Sequence, residues 1–188
     1  MVRTTTKQIT LADFLRLPET KPASEFINGQ IIQKPMPQGK HSILQGKLVD
    51  KINQLLSPDK LAYAFPELRC TFGDRSVVPD ISVYIWESVP VDTDGEIANQ
   101  FGKPPNWMIE ILSPGQSSIR VTSKILFCLE HGTVMGWLID PAEKIVIVYQ
   151  QDRAPIAVEM SEQLLPVPSF AQRLHIPVNE LFELLKFS

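Results

Sequence analysis

Two cysteines, Cys70 and Cys128, are too few for a disulfide framework, and they lack the C-x-x-C spacing of a zinc site. Cys128 stands among apolar neighbours in a helical pattern, where a buried free thiol is the expectation. No stretch approaches the roughly 18 consecutive apolar residues of a membrane span, and Lys7 and Asp13 interrupt any signal-like start. A soluble, cytoplasmic protein is therefore expected. Positive charge is not in excess either. The net charge of −3 argues against a strongly cationic protein that grips nucleic acid regardless of sequence, because such affinity rests on many Lys and Arg contacts to phosphate. A local basic patch, or a metal ion that supplies the positive charge, stays compatible with it. Internal repeats and low-complexity tails are missing as well.

What is present suffices for one domain over residues 1–188, since 44% of the residues are hydrophobic and 21% charged. TLADFLRLP predicts a short helix capped by Thr10 and stopped by Pro18. Asn28-Gly29, flanked by apolar residues, predicts a tight hairpin turn. Leu44, Leu48, Ile52, Leu55 and Leu56 recur at helical spacing before Pro58. LAYAFPELRCTFG reads as extended, with Pro66 pointing to an edge or a bulge. SVVPDISVYIW reads as one strand, with Val78, Asp80, Ser82 and Tyr84 on one side. A polar loop over about 86–105 follows, then the strand WMIEIL. SSIRVTSKILFCLEHG is a helix capped at Ser117 or Ser118 and closed by Gly132. VMGWLID and KIVIVYQ form a hairpin, IAVEM adds a possible strand, and VNELFELL ends the chain as an amphipathic helix. The expectation is a mixed α/β fold of the α+β type, built around one sheet with flanking helices.

The chemistry starts from Glu110. Both faces of WMIEIL are apolar, so the strand is buried on both sides, and a carboxylate there is costly unless compensated. Glu110 is then neutral, paired with a cation, or a metal ligand. Asp80, in the preceding strand, offers a second carboxylate in similar surroundings. Two adjacent carboxylates repel unless a cation lies between them, and a divalent ion with oxygen ligands fits that need. In the next helix Lys124 lies one turn after Arg120 and could reach the carboxylates, where it would orient a water or stabilise charge on a phosphoryl group. A buried ion pair of Glu110 with Arg120 or Lys124 is the purely structural alternative.

The order P-D at 79–80, E-x-L at 110–112 followed by Ser113-Pro114, a helix bearing a lysine, and GWLIDP at 136–141, together with EFINGQI near the start, resembles the Uma2-like (DUF820) proteins. These are abundant in cyanobacteria and belong to the PD-(D/E)XK nuclease superfamily. The resemblance runs from about residue 8 to the C terminus. It implies a restriction-endonuclease-like mixed sheet flanked by helices. It also implies a metal-dependent endonuclease hydrolysing phosphodiester bonds in DNA, with Mg²⁺ or Mn²⁺ held by Asp80 and Glu110. Lys124 matches the family's relocated catalytic lysine; Leu112 stands where the wider superfamily carries one. Glu25 matches an acidic residue that faces the site. The chain departs from the family at Asn28, often Asp, and at Arg120, also often Asp. The resemblance further implies a homodimer presenting two sites to two strands.

Other polar residues carry weaker signals. Glu67 is a possible further acidic ligand. His41 reads as a partner for a cap or a carboxylate, His131 as a residue at a helix C terminus, and His175 as a surface residue. Lys34, Lys40, Lys47, Lys51 and Lys60 form a modest basic stretch that would either face phosphate or be a solvated helix face. The acidic loop residues Glu87, Asp92, Asp94 and Glu96 would repel DNA laid against them. A nuclease-fold protein that binds DNA or a protein partner without cutting is the competing functional reading.

Overall fold

Thr10 starts the first helix, α1 (Leu11–Phe14), by accepting the Asp13 N–H at 3.1 Å, while the Asp13 carboxylate reaches back to the Thr10 N–H. Strands β1 (Ser24–Ile27) and β2 (Gln30–Gln33) form the hairpin expected at Asn28-Gly29, where φ values of 50° and 75° suit that pair. Helix α2 (Gly39–Leu56) buries His41, Leu44, Leu48, Ile52 and Leu56; Leu55 turns outward. Then follow β3 (Ala62–Pro66), β4 (Cys70–Phe72), β5 (Arg75–Val77), β6 (Ile81–Ile85), β7 (Trp107–Ile111) and α3 (Ser118–Glu130). The chain continues through β8 (Met135–Asp140), β9 (Ile145–Gln150), β10 (Ile156–Glu159) and α4 (Val178–Glu183). This computed structural model describes residues 9–159 and 161–186, so the readings that involve Lys7 and Met160 lie outside the described residues.

The strands form two sheets rather than one. A four-stranded antiparallel sheet has the order β2-β1-β5-β4, and a six-stranded sheet has the order β10-β9-β8-β7-β6-β3. The larger sheet is mixed, because β7 and β8 run parallel, joined by α3, while its other pairs are antiparallel. Pro66 lies on the edge strand β3, as its missing N–H requires. The expected single strand over 76–86 is split. Pro79 cannot donate to a ladder, and the chain leaves one sheet as β5 and enters the other as β6.

The six-stranded sheet is covered on both faces. On one, Ile81, Val83, Ile109, Ile111 and Trp137 pack against the α2 stripe and the C-terminal segment. On the other, Tyr84, Met108 and Leu138 pack against Val121, Ile125 and Cys128 of α3, with Phe72 and Val77 of the small sheet joining them. The segment 86–105 is not an open excursion. Phe101 is buried against Phe65 and Tyr84, and Tyr84 donates to the Lys103 carbonyl at 2.8 Å.

Gly136 sets the height of α3 above the sheet, since a Cβ there would overlap Ile125 Cγ2. Gly136→Ala should therefore lower stability by about 1–3 kcal/mol through overpacking. Thermal unfolding checks this, and an unchanged melting temperature would contradict so close an approach.

Candidate active site

The site forms where the two sheets meet. Glu110 is the fourth residue of β7, and the β6–β7 register pairs Ile81 with Ile109, which brings Asp80 opposite Glu110. Alternation points Glu110 to the same face as Met108, toward α3. Asp80 precedes β6, and its Oδ2 accepts the Ile111 N–H at 2.8 Å. Lys124, in the middle of α3, lies 2.8 Å from Glu110 Oε1 and 2.9 Å from Glu25 Oε1. Ser117 caps α3 by accepting the Arg120 N–H, and Gly132, at φ 114°, follows its end. The fold brings together Asp80, Glu110 and Lys124, which the residue pattern singles out, and Glu25, which only the family resemblance suggests. The partner of Glu110 is Lys124, not Arg120, which is exposed at the rim.

The break between β5 and β6 supplies polar backbone to the site. The Val78 N–H donates to Glu25 Oε1 at 2.7 Å. The Val78 carbonyl accepts from Lys34 Nζ at 2.9 Å, and the Asp80 carbonyl accepts from Gln45 Nε2 at 2.8 Å. The two Val78 groups have side-chain partners in place of ladder partners, and the Asp80 carbonyl takes Gln45 in addition to the Glu67 N–H. Two further residues reach Asp80 directly: Lys34 Nζ lies 2.5 Å from Oδ1, and His41 Nε2 lies 3.1 Å from Oδ2.

Lys34 was legible only as one member of a basic stretch, and that stretch does not form one face. Lys34 is buried on Asp80, Lys47 bonds the Leu184 carbonyl, and Lys40 is exposed in the first turn of α2. His41 is a carboxylate partner, one of the two roles its position suggested. Glu67 is exposed and its side chain is outside the site; only its N–H reaches the Asp80 carbonyl. His131 ends α3, its Nδ1 2.8 Å from the Phe127 carbonyl, and His175 is exposed. Both cysteines are free and buried.

Burial dominates the electrostatics. It raises the pKa of Glu110 to about 7, with Asp80 adding to the rise and the Lys124 ammonium opposing it. Burial acts on Asp80 in the same sense, but Lys34 and His41 overcome it and hold that carboxyl below the usual range. Desolvation disfavours a charged Lys124, yet Glu110, Glu25 and Asp80 more than offset it and raise its pKa above that of an ordinary lysine. Lys124 stays an ammonium, therefore, while Glu110 is the group poised near neutrality.

The chemistry of this donor set fits a hard divalent ion. Asp80 and Glu110 are opposite in register and each carboxylate lies within the other's field, and both Glu110 oxygens are buried without a well-aligned hydrogen-bond donor, Lys124 approaching one of them off the bonding direction. Among the described residues no three His, Cys, Asp or Glu side chains form a ready cage. Two carboxylates with water and phosphate completing the shell is a Mg²⁺-like arrangement. A cleft of about 550 Å³ opens beside the cluster, lined by Glu25, Asn28, Lys34, Gln116, Arg120 and Lys124.

The fold is shared with a solved structure of the same architecture. It matches, with a TM-score of 0.93, the crystal structure of "a putative nuclease belonging to DUF820" from Anabaena variabilis, at 57% identity over 95% of this chain and 99% of that one. The model of the Uma2 family, described as "Putative restriction endonuclease", matches residues 11–179, and the chain belongs to that family. No curated protein matches it. No helix among the described residues is long and apolar enough to cross a membrane.

A carboxyl whose folded pKa lies above its unfolded one contributes stability at low pH and loses it as pH rises through the folded value. For Glu110 that window runs from its ordinary value of 4.5 to about 7. Glu110→Gln mimics the protonated form and leaves Lys124 its Glu25 partner. In the presence of a chelator it should melt several degrees above the wild type at pH 8, with the difference shrinking toward pH 5. A Glu110→Gln protein that melts lower at pH 8 would mean that the ionised pair stabilises the fold.

Proposed function

We propose that this protein is a divalent-metal-dependent endonuclease that hydrolyses phosphodiester bonds in DNA, with Mg²⁺ or Mn²⁺ held by Asp80 and Glu110. The observation that carries the reading is that the β6–β7 register sets Asp80 opposite Glu110, whose carboxylate meets the buried Lys124 ammonium at the side of an open cleft. The bound ion would supply Lewis acidity, lowering the pKa of a water and offsetting charge on the scissile phosphate. The chain's own groups do the rest. Lys124, held charged between Glu110 and Glu25, orients the attacking water or a phosphate oxygen. Glu25 is a positioning residue, because its Oε1 is tied both to Lys124 and to the Val78 N–H and so fixes where the ammonium sits. Arg120 and Asn28 on the cleft wall offer donors to a phosphate backbone. A homodimer, presenting two such sites to the two strands of a duplex, belongs to the same proposal.

One observation favours a second reading, a nuclease-fold protein that binds DNA or a protein partner without cutting. Asp80 is 2% exposed and Glu110 1%, so the carboxylates are sealed from solvent in this conformation. Incubation of supercoiled plasmid with Mg²⁺ or Mn²⁺ separates the two. Cleavage is expected from the wild type and should fall to background in Asp80→Ala and Glu110→Ala, with Lys124→Ala losing roughly 10- to 1000-fold. Plasmid that is retained but left uncut with either ion would move the balance to the binder.

A further inference from the structure

We infer that Lys34 is the tethered counter-ion of Asp80, occupying that carboxylate while the site holds no metal and leaving it when a divalent ion binds; this rests on the metal site proposed above. The ammonium lies 2.5 Å from Asp80 Oδ1 and 2.9 Å from the Val78 carbonyl, so it already supplies cationic charge to hard oxygen donors. Charge balance explains why it must yield. With Glu110 ionised, the carboxylates of Glu25, Asp80 and Glu110 and the ammonium groups of Lys34 and Lys124 leave one net negative charge in a cluster of buried side chains. A divalent ion added to that set would leave one net positive charge, and departure of Lys34 restores neutrality.

Of the two ammonium groups, Lys34 is the one free to go. Lys124 sits in mid-helix between two carboxylates. Lys34 follows the last residue of the edge strand β2, pairs with one carboxylate, and lines the open cleft into which its long side chain can turn. Asp80 would not be stripped by the loss, since the Ile111 N–H and His41 still hold Oδ2. Once released, the Lys34 ammonium joins Arg120 on the cleft wall, where an anionic backbone would meet it. Metal binding and assembly of the phosphate-contacting wall are then one event.

The test reads amine accessibility and metal affinity rather than cleavage. In the wild-type protein, amine labelling followed by peptide mass spectrometry should show Lys34 modified about fivefold faster or more with Mn²⁺, while Lys124 stays protected. By calorimetry, Lys34→Gln should bind Mn²⁺ at least about fivefold more tightly than the wild type, because an internal competitor is gone. If that variant does not fold, the wild-type labelling alone decides. Unchanged or weaker Mn²⁺ affinity in a folded Lys34→Gln protein, or a Lys34 that stays protected while Mn²⁺ is bound, would overturn the inference and leave the metal site standing. If neither protein binds Mn²⁺, the inference and the metal site fall together.

Discussion

Lys124 is the charge on which the interior depends. Two carboxylates, Glu25 and Glu110, meet it in a layer between sheet and helix that also holds Met108, Val121, Ile125 and Leu138, and a third, Asp80, is buried next to β7. None of them would be tolerated there as an isolated ion. Lys124 stands within 3 Å of two of them, and its own burial is tolerable only because they are there. The arrangement is reciprocal, so its geometry is tightly constrained. Helix α3 must sit at the height that Gly136 permits, with β7 central in the sheet and β1 close enough to bring Glu25 across.

The second constraint is backbone supply. The chain changes sheets between Val77 and Ile81, and Pro79 in that gap donates nothing. The Val78 N–H and carbonyl are taken up by Glu25 and Lys34, and Gln45 joins the Glu67 N–H on the Asp80 carbonyl. The break that prevents a continuous strand is therefore also what gathers side chains from three separate elements around Asp80. A regular ladder at the same place would have consumed those backbone groups and left Asp80 without its surroundings.

This explains which parts were legible in the sequence. Local patterns carried most elements: the Asn28-Gly29 turn, the α2 stripe, the Ser117 cap and the doubly apolar β7 all form where their residues indicate. Glu110 was legible because a charge inside an apolar strand contradicts its own neighbourhood. Asp80 and Lys124 followed from strand adjacency and helical spacing. The division into two sheets was not legible, since period-2 alternation continues through Pro79 and does not reveal that the partner strands change. Lys34 was hidden for another reason, and His41 was legible only as a partner for a cap or for some carboxylate, not for Asp80. A lysine beside a hairpin and a histidine in a helix's first turn are ordinary surface patterns, and only the long-range fold turns both toward Asp80, across 46 residues in the case of Lys34. Helical spacing does place His41 on the stripe of Leu44 and Leu48, the one signal that could have marked it as inward-facing.

The same geometry links the fold to the chemistry. With Glu110 ionised, the three carboxylates outnumber the ammonium groups of Lys34 and Lys124 by one charge. Such a cluster is suited to accept a small hard cation once a competing ammonium yields. Crystals grown with Mn²⁺ and measured at the manganese absorption edge test this most directly. An anomalous peak shared by the carboxylates of Asp80 and Glu110 is the expected result. Density that leaves Lys34 and Lys124 on their carboxylates, with no anomalous signal between the two strands, would contradict the account.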